Sequence, residues 1–354
     1  MAELTAKQWG TRYSAQRGLY EQYADRLRAL LADVLTSAGI DVVQIESRAK
    51  TVGSFVEKIT RKSHDDDPIG TMTDLVGLRV ITYYLEDVGR IGELIAREFE
   101  IDQENSSDKA IDLASDQFGY LSAHHVVRLG PSRRELAEWA PFASITAEIQ
   151  VRTALQHAWA AVSHKVAYKS AALPEPIQRR LSRLSALFEL ADEQFSSLRD
   201  ASAATDSEYR QQVDRGALDV PVDTSSIGAY LDGGRGDVLT TWFQRHGFDV
   251  TTREDENRRR RARSALVSAL KTVGLGTLVD LHAFLADAAR TDAAIELVRT
   301  VYEADGHRPR GSLEDLLTMT VTAALDFGER PGTPYLTEQW SETLRRVRRD
   351  DTTP

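Results

Sequence analysis

The chain has no cysteine among its 354 residues. Disulfides and thiolate metal sites are thereby excluded, and a reducing, cytoplasmic setting is the natural expectation. It has no apolar run near the roughly 20 residues that a spanning helix needs, so no membrane role is expected. Nothing at the N-terminus resembles a secretory signal. An excess of positive charge is also missing: 44 Lys and Arg stand against 54 Asp and Glu, a net charge of −10. A chain basic overall is excluded, while local basic patches are not. With 42% hydrophobic and 28% charged residues, the composition is that of a soluble globular protein long enough for two cores.

What is present begins with alternation. Ile145, Ala147, Ile149 and Val151 fall on one face, and Thr146, Glu148, Gln150 and Arg152 on the other. Period two predicts a strand with one buried face. The opposite face carries a carboxylate, an amide and a guanidinium in a row, either a solvated face or one able to meet a metal ion, a base edge and a phosphate. A second strand is predicted over Asp41–Lys50, with Val43, Ile45 and Ala49 on one side and Gln44, Glu46, Arg48 and Lys50 on the other. Thr51–Lys58 then reads as a turn opening a helix. Ser54 and Lys58, four apart, share a face there, and donors near a helix N-terminus suit phosphate. A cationic and an acidic strand in one sheet suggest a nucleotide polyphosphate with Mg²⁺.

Along the chain, Tyr20, Tyr23, Leu27, Leu30 and Val34 predict an amphipathic opening helix that Gly39 ends. His64–Pro68 is a polar turn. Strands are predicted over Leu78–Leu85, Gly119–Leu129 and Ser144–Arg152, and helices over Asp87–Glu100, Thr153–Lys169 and Pro174–Leu198. The last has a nearly heptad apolar pattern, which needs the sheet, another helix or a second subunit to pack on. Small polar residues then suggest a linker over 206–224. Beyond it, helices are predicted over Asp237–Phe248, Arg258–Val273, Leu278–Ala289, Ala293–Asp305 and Ser312–Phe327. The Arg258–Arg261 run with Arg263, close behind Glu254–Glu256, is either a self-neutralised helix face or a phosphate contact. The arginines at 345, 346, 348 and 349 are read the same way. The histidines do not make a zinc site. His157 and His164 lie about 10.5 Å apart along a helix axis, and His124 and His125 point to opposite faces of a strand.

Five motifs occur in order: Arg48-x-Lys50-x-x-x-Ser54-x-x-x-Lys58, Asp74-Leu75-Val76-Gly77-Leu78-Arg79, Gly119-Tyr120-x-Ser122-x-His124, Glu148-Ile149-Gln150-x-Arg152-Thr153, and His164-x-x-x-Tyr168-Lys169. Together they resemble the synthetase domain of the RelA/SpoT family, which makes the alarmones ppGpp and pppGpp. The resemblance covers about residues 20–200, and the metal-binding hydrolase motif of the long family members has no counterpart. It implies an α+β fold, a nucleotidyltransferase-like mixed sheet flanked by helices, over 1–205. After the linker, 225–354 would be a mainly helical regulatory or partner domain.

The resemblance also implies chemistry: transfer of the β,γ-pyrophosphate of ATP to the ribose 3′-hydroxyl of GDP or GTP. Asp74 and Glu148 match the two Mg²⁺-associated acids, and Glu148 also the position that helps deprotonate the attacking hydroxyl. Arg48 and Arg79 match the arginines that stack on adenine, and Lys50, Ser54 and Lys58 would grip the triphosphate. Tyr120 matches the tyrosine stacked on the acceptor guanine, with His124, Gln150, Arg152 and His157 around the acceptor. One departure is marked. Asp116 and Phe118 stand where the family commonly has lysine and asparagine before the Gly-Tyr, and that lysine helps to hold acceptor phosphates. The toxic branch of the family, which modifies the 3′ end of tRNA, needs no such lysine, and its C-terminal half would then be a neutraliser or sensor. A third expectation, of another class, is a nucleotide-binding regulator without activity. A homo-oligomer or protein partner is expected through the C-terminal helices.

Overall fold

The structure, a computed structural model, describes residues 4–61, 67–108, 122–167, 174–251, 256–304 and 306–324. The chain divides into two compact units, Met1–Arg199 and Asp200–Pro354. Each has its own hydrophobic cluster, the first drawn from residues up to Val151 and the second from Tyr209 onward.

The first unit opens with α1 (Ala6–Ser37), started by a Thr5–Gln8 capping box. It ends at Gly39, whose φ of 65° favours a residue without a side chain. Its buried stripe, Tyr13, Tyr20, Tyr23, Leu27 and Leu31, covers one side of the sheet core. Full burial of each leucine stabilises by roughly 1.5–3 kcal/mol. Strand β1 (Val42–Ala49) pairs antiparallel with β2 (Val76–Thr82). Partners Val42↔Thr82 and Gln44↔Ile81 leave Val43 as an extra residue in a bulge. Val43 is therefore 44% exposed rather than on the buried face that alternation predicts.

Helices α2 (Val52–Arg61) and α3 (Pro68–Thr71) lie between those strands, and α4 (Leu85–Glu98) follows β2. Helix α4 stops two residues short of the predicted Glu100, because Phe99–Ile101 becomes strand β3. Strands β4 (Ser107–Asp108) and β5 (Ala123–Leu129) come next, then α5 (Pro131–Arg134), a 3₁₀ turn (Ala140–Phe142) and β6 (Ala147–Thr153). Gly119–Leu121, predicted to open a strand, and the motif residues Tyr168 and Lys169 lie outside the described residues, as do 116, 118 and 345–349.

The sheet order is β1-β2-β6-β5-β3, with β4 also on β5. Only β2 and β6 run parallel; β1, β5, β3 and β4 pair antiparallel with their neighbours. This is the mixed sheet flanked by helices that the sequence predicted. Helix α6 (Ala154–Ala167) leaves β6 directly, and α7 (Glu175–Asp214) is a single 40-residue helix. The stretch predicted as linker from 206 is thus helical as far as Asp214. That stretch includes Glu208, Arg210, Gln211 and Gln212, which are good helix formers.

The second unit is mainly helical: α8 (Thr224–Leu231), α9 (Gly234–Arg245), α10 (Glu256–Thr272), α11 (Leu278–Ala286), α12 (Ala288–Ala304) and α13 (Leu313–Ala324). A small parallel pair, β7 (Asp249–Val250) and β8 (Arg310–Gly311), joins the segment after α9 to the one before α13. Helix α8 and this pair escaped sequence reading. In α10, Arg258, Arg260 and Arg261 are exposed. Arg263 is different: it turns inward, paired with Asp232 and with Glu314 at 3.1 Å. Its charge answers two acids distant in sequence.

Candidate active site

Register brings the motif residues together. Directly opposite residues on paired strands project to the same face, so Arg48↔Gly77↔Glu148 form one row and Glu46↔Arg79↔Gln150↔His124 the next. Gly77 leaves the centre of the first row without a side chain. A cavity of about 510 Å³ opens over these rows, lined by Arg48, Asp74, Arg79, Glu148 and Gln150, with Glu46 and Arg28 at its wall.

Lys50 is held by its backbone. Its N–H donates to the Leu75 carbonyl at 2.8 Å, and its own carbonyl accepts from Tyr13 Oη at 2.8 Å and Arg17 Nε at 3.1 Å. Burial, most of all, pushes the Tyr13 hydroxyl up to about 12, so it remains a donor. Thr51 then caps α2 by accepting from Ser54 N–H at 3.1 Å. The helix so started carries Lys58 back over the sheet. Asp74 receives both ammonium groups, Lys50 Nζ at 2.7 Å and Lys58 Nζ at 2.9 Å. Burial alone would raise its pKa, but the two lysines outweigh that and hold it below 3.8. Ser54 is exposed and does not line the cavity, and its hydroxyl accepts from Thr51 at 2.9 Å.

Glu148 sits in a second network. His124 Nδ1 lies 2.6 Å from Glu148 Oε1, His124 Nε2 lies 2.7 Å from Ser122 Oγ, and Gln150 Nε2 donates to the same Oε1 at 3.3 Å. A neutral His124 then carries its proton on Nδ1 and accepts from Ser122. The bond from His124 is the main reason the Glu148 pKa is depressed, against burial and the charge of Asp74. Arg79, an arginine within a strand, has its ion-pair partner in Glu46 at 2.7 Å.

The strand β6 ends in a capping box. Thr153 Oγ1 accepts from Gln156 N–H at 3.0 Å, and Gln156 Oε1 accepts from Thr153 N–H at 2.9 Å. That turn sets His157 beside Arg152. Burial first, then Arg79, pulls the Arg152 pKa to about 10; burial, Arg152 and Arg79 lower that of His157. Arg79 Nε, Arg152 Nε and His157 Nδ1 are each buried without a hydrogen bond among the described residues. Three unsatisfied nitrogens of this kind favour an anionic or acceptor-rich ligand.

The structure therefore joins Asp74, Glu148, Arg48, Arg79 and Gln150 around one cavity. Lys50 and Lys58 are bound to it through Asp74, and His124 through Glu148. Arg152 and His157 lie beyond Arg79, and Tyr120 is outside the described residues. Sequence reading missed Arg28, which sits next to the buried Leu27 on a helix read only for its apolar face. It also left out Glu46, whose place on the cationic strand face was the available signal.

Residues 47–172 match the family model described as the region found in RelA / SpoT proteins. That stretch of the N-terminal unit is a RelA/SpoT-type region. The GTP pyrophosphokinase YjbM of Bacillus subtilis (strain 168) is 28% identical over 186 residues, which are 51% of this chain and 85% of that protein. The small alarmone synthetase 1 of Bacillus subtilis, bound to its product pppGpp, is 28% identical, covering 55% of this chain and 99% of that one, at a TM-score of 0.46. A GTP pyrophosphokinase family protein of Streptococcus pneumoniae is 24% identical over 54% of this chain and 94% of its own, at a TM-score of 0.46. The matched family region ends at residue 172, before the second unit begins at Asp200. Among the described residues no helix is long and apolar enough to cross a membrane.

Proposed function

We propose that the chain is a pyrophosphokinase that transfers the β,γ-diphosphate of ATP to the ribose 3′-hydroxyl of GDP or GTP. The observation that carries the reading is the pairing of two acids in one cavity: Asp74 beneath two lysines and Glu148 against His124. The family match and the pyrophosphokinase relative support it.

The donor set fits Mg²⁺. Among the described residues no three His, Cys, Asp or Glu side chains converge as a complete cage. Two carboxylates completed by phosphate oxygens are the usual arrangement for this ion. Asp74 and Glu148 would hold it, and when bound it neutralises charge on the transferred phosphates. In this reading Lys50 and Lys58 turn from Asp74 to the triphosphate, while Arg48 and Arg79 stack on the adenine. Glu148 takes the proton of the 3′-hydroxyl, positioned by His124. Tyr120 would stack on the guanine, and Gln150, Arg152 and His157 would meet the acceptor.

One sequence observation favours a second acceptor. Asp116 stands where a phosphate-binding lysine is common, which suits the 3′ end of tRNA, an acceptor without a 5′-polyphosphate. In both versions the second unit regulates the first or binds a partner. The test is incubation with γ-labelled ATP and GDP, GTP or bulk tRNA in parallel. Label in the guanine nucleotide supports the first reading and label in tRNA the second. Label released only as free phosphate or diphosphate overturns both.

A further inference from the structure

We infer that Asp192 of α7 is a positioning residue of the active site, which through Thr153 holds the β6–α6 turn that sets Arg152 and His157 side by side. Between residues 175 and 200 the fully buried residues of α7 are Ser185, Asp192 and Ser196, all polar. Ser196 Oγ donates to Glu86 Oε2 at 2.8 Å. Asp192, 2% exposed, accepts from Thr153 Oγ1 at 2.7 Å. Desolvating a carboxylate is costly, and an apolar side chain would fill the same place without that cost. What the carboxylate adds is a hydrogen-bond acceptor.

Thr153 has one hydroxyl proton, and its oxygen already accepts the Gln156 N–H at 3.0 Å. The proton therefore points at Asp192. Gln156 Oε1 closes the turn by accepting from Thr153 N–H at 2.9 Å. Thr153 is fully buried, so loss of Asp192 as acceptor leaves its hydroxyl unsatisfied. Arg152 precedes this locked turn and His157 follows it. The groups so placed gain nothing from lying together without a ligand. After burial, Arg79 lowers the Arg152 pKa, and Arg152 and Arg79 lower that of His157. Arg79 Nε, Arg152 Nε and His157 Nδ1 have no hydrogen bond among the described residues. Such a set stays ready for an acceptor-rich ligand only while a contact behind it fixes its geometry. Asp192 supplies that contact.

The consequence for transfer rests on the reading above, in which Arg152 and His157 meet the acceptor. The test uses the full chain. Asp192→Ala and Thr153→Val cut the bond from its two ends, the second without a change of shape. Asp192→Asn and Thr153→Ser keep an acceptor and a hydroxyl. The first readout is the His157 imidazole, titrated by NMR in histidine-labelled protein and identified by its absence from His157→Gln. The charges that bear on it are those of Arg152, Arg79 and Glu46, so the titration reports placement rather than the loss of the Asp192 charge. Its pKa, held below 6.5 by burial, Arg152 and Arg79, should rise toward 6.5 in the cutting variants and stay low in the conserving ones. An unmoved His157 in both cutting variants overturns the inference, as does an equal shift in the conserving pair. The second readout is transfer to GTP. Its KM should rise roughly 10–100-fold in the cutting variants, the loss that a misplacement of about 1 Å can cause, with ATP affinity unchanged. A moved His157 with an unchanged KM for GTP supports the placement by Asp192 and overturns the acceptor assignment. A parent that transfers nothing to GTP counts against the first functional reading, and the titration still decides the role of Asp192.

Discussion

Replacing Glu148 by glutamine removes a charge and a base while keeping shape. Glu148 Oε1 accepts from His124 at 2.6 Å and from Gln150 at 3.3 Å. A glutamine oxygen can accept both bonds, so the local geometry persists. The donor-side lysines belong to β1 and α2 and bind Asp74, not Glu148. ATP affinity should therefore change no more than a few-fold, while the chemical step loses its proton acceptor. Positioned general bases contribute about 10²–10⁴-fold, or roughly 2.7–5.5 kcal/mol of barrier. The expected result is a fall of that size in single-turnover transfer, with the nucleotide dissociation constant measured separately. His124→Gln should cost less, since one charge-assisted hydrogen bond is worth about 1.5–3 kcal/mol. If His124 acts only through Glu148, the double variant should be no slower than Glu148→Gln alone. Transfer within a few-fold of the parent in Glu148→Gln removes this residue from the mechanism. A fully additive double variant would give His124 an independent role.

Glu46→Gln should leave thermal stability nearly unchanged, because the partly exposed ion pair with Arg79 is worth about 0–1 kcal/mol. It should weaken ATP binding by freeing Arg79, and unchanged ATP affinity would show that Arg79 needs no such tether. Arg263→Ala strands Asp232 and the buried Glu314, so the second unit should lose about 3–5 kcal/mol. Differential scanning calorimetry should see one transition fall while the other holds; a joint shift would mean that the units unfold together. Asp74 has its folded pKa held below 3.8, so its lysine bonds contribute stability in full above that value and lose it as pH falls below. Acid titration of Asp74→Asn should show a smaller loss below pH 3.8 than the parent, and identical curves would refute the linkage. A chain ending at Asp200 keeps every residue of the first core cluster and should fold with a cooperative transition. Failure to fold would mean that the later turns of α7 are required.

The sequence is legible where one interaction dominates and obscure where partners lie far apart in the chain. Alternation in β6 put Glu148 and Gln150 opposite its buried face, because period two is a local property of one strand. Pairing was harder. Nothing local in the sequence joins Lys50 to Asp74, Glu46 to Arg79 or Glu148 to His124; those meetings follow from strand order and register, which neighbouring residues do not encode. Arg263 illustrates the same limit in the second unit. Three acids lie just before its arginine run, yet the partners the structure shows are Asp232, 31 residues before it, and Glu314, 51 residues after it.

The α7 helix fails for a different reason. Its apolar stripe was read correctly, but amphipathicity reports only that a face wants burial, not which surface supplies it. The structure divides that stripe. Leu181 and Phe188 turn partly inward, Phe188 meeting Trp159 of α6 at 6.0 Å, while Leu184, Leu187 and Leu198 face out. Adjacent residues on one wheel thus have different surroundings. Burial alone does not separate the acids of the first unit either: Glu46 is paired with one arginine, while Asp74, at the cavity wall, is paired with two lysines.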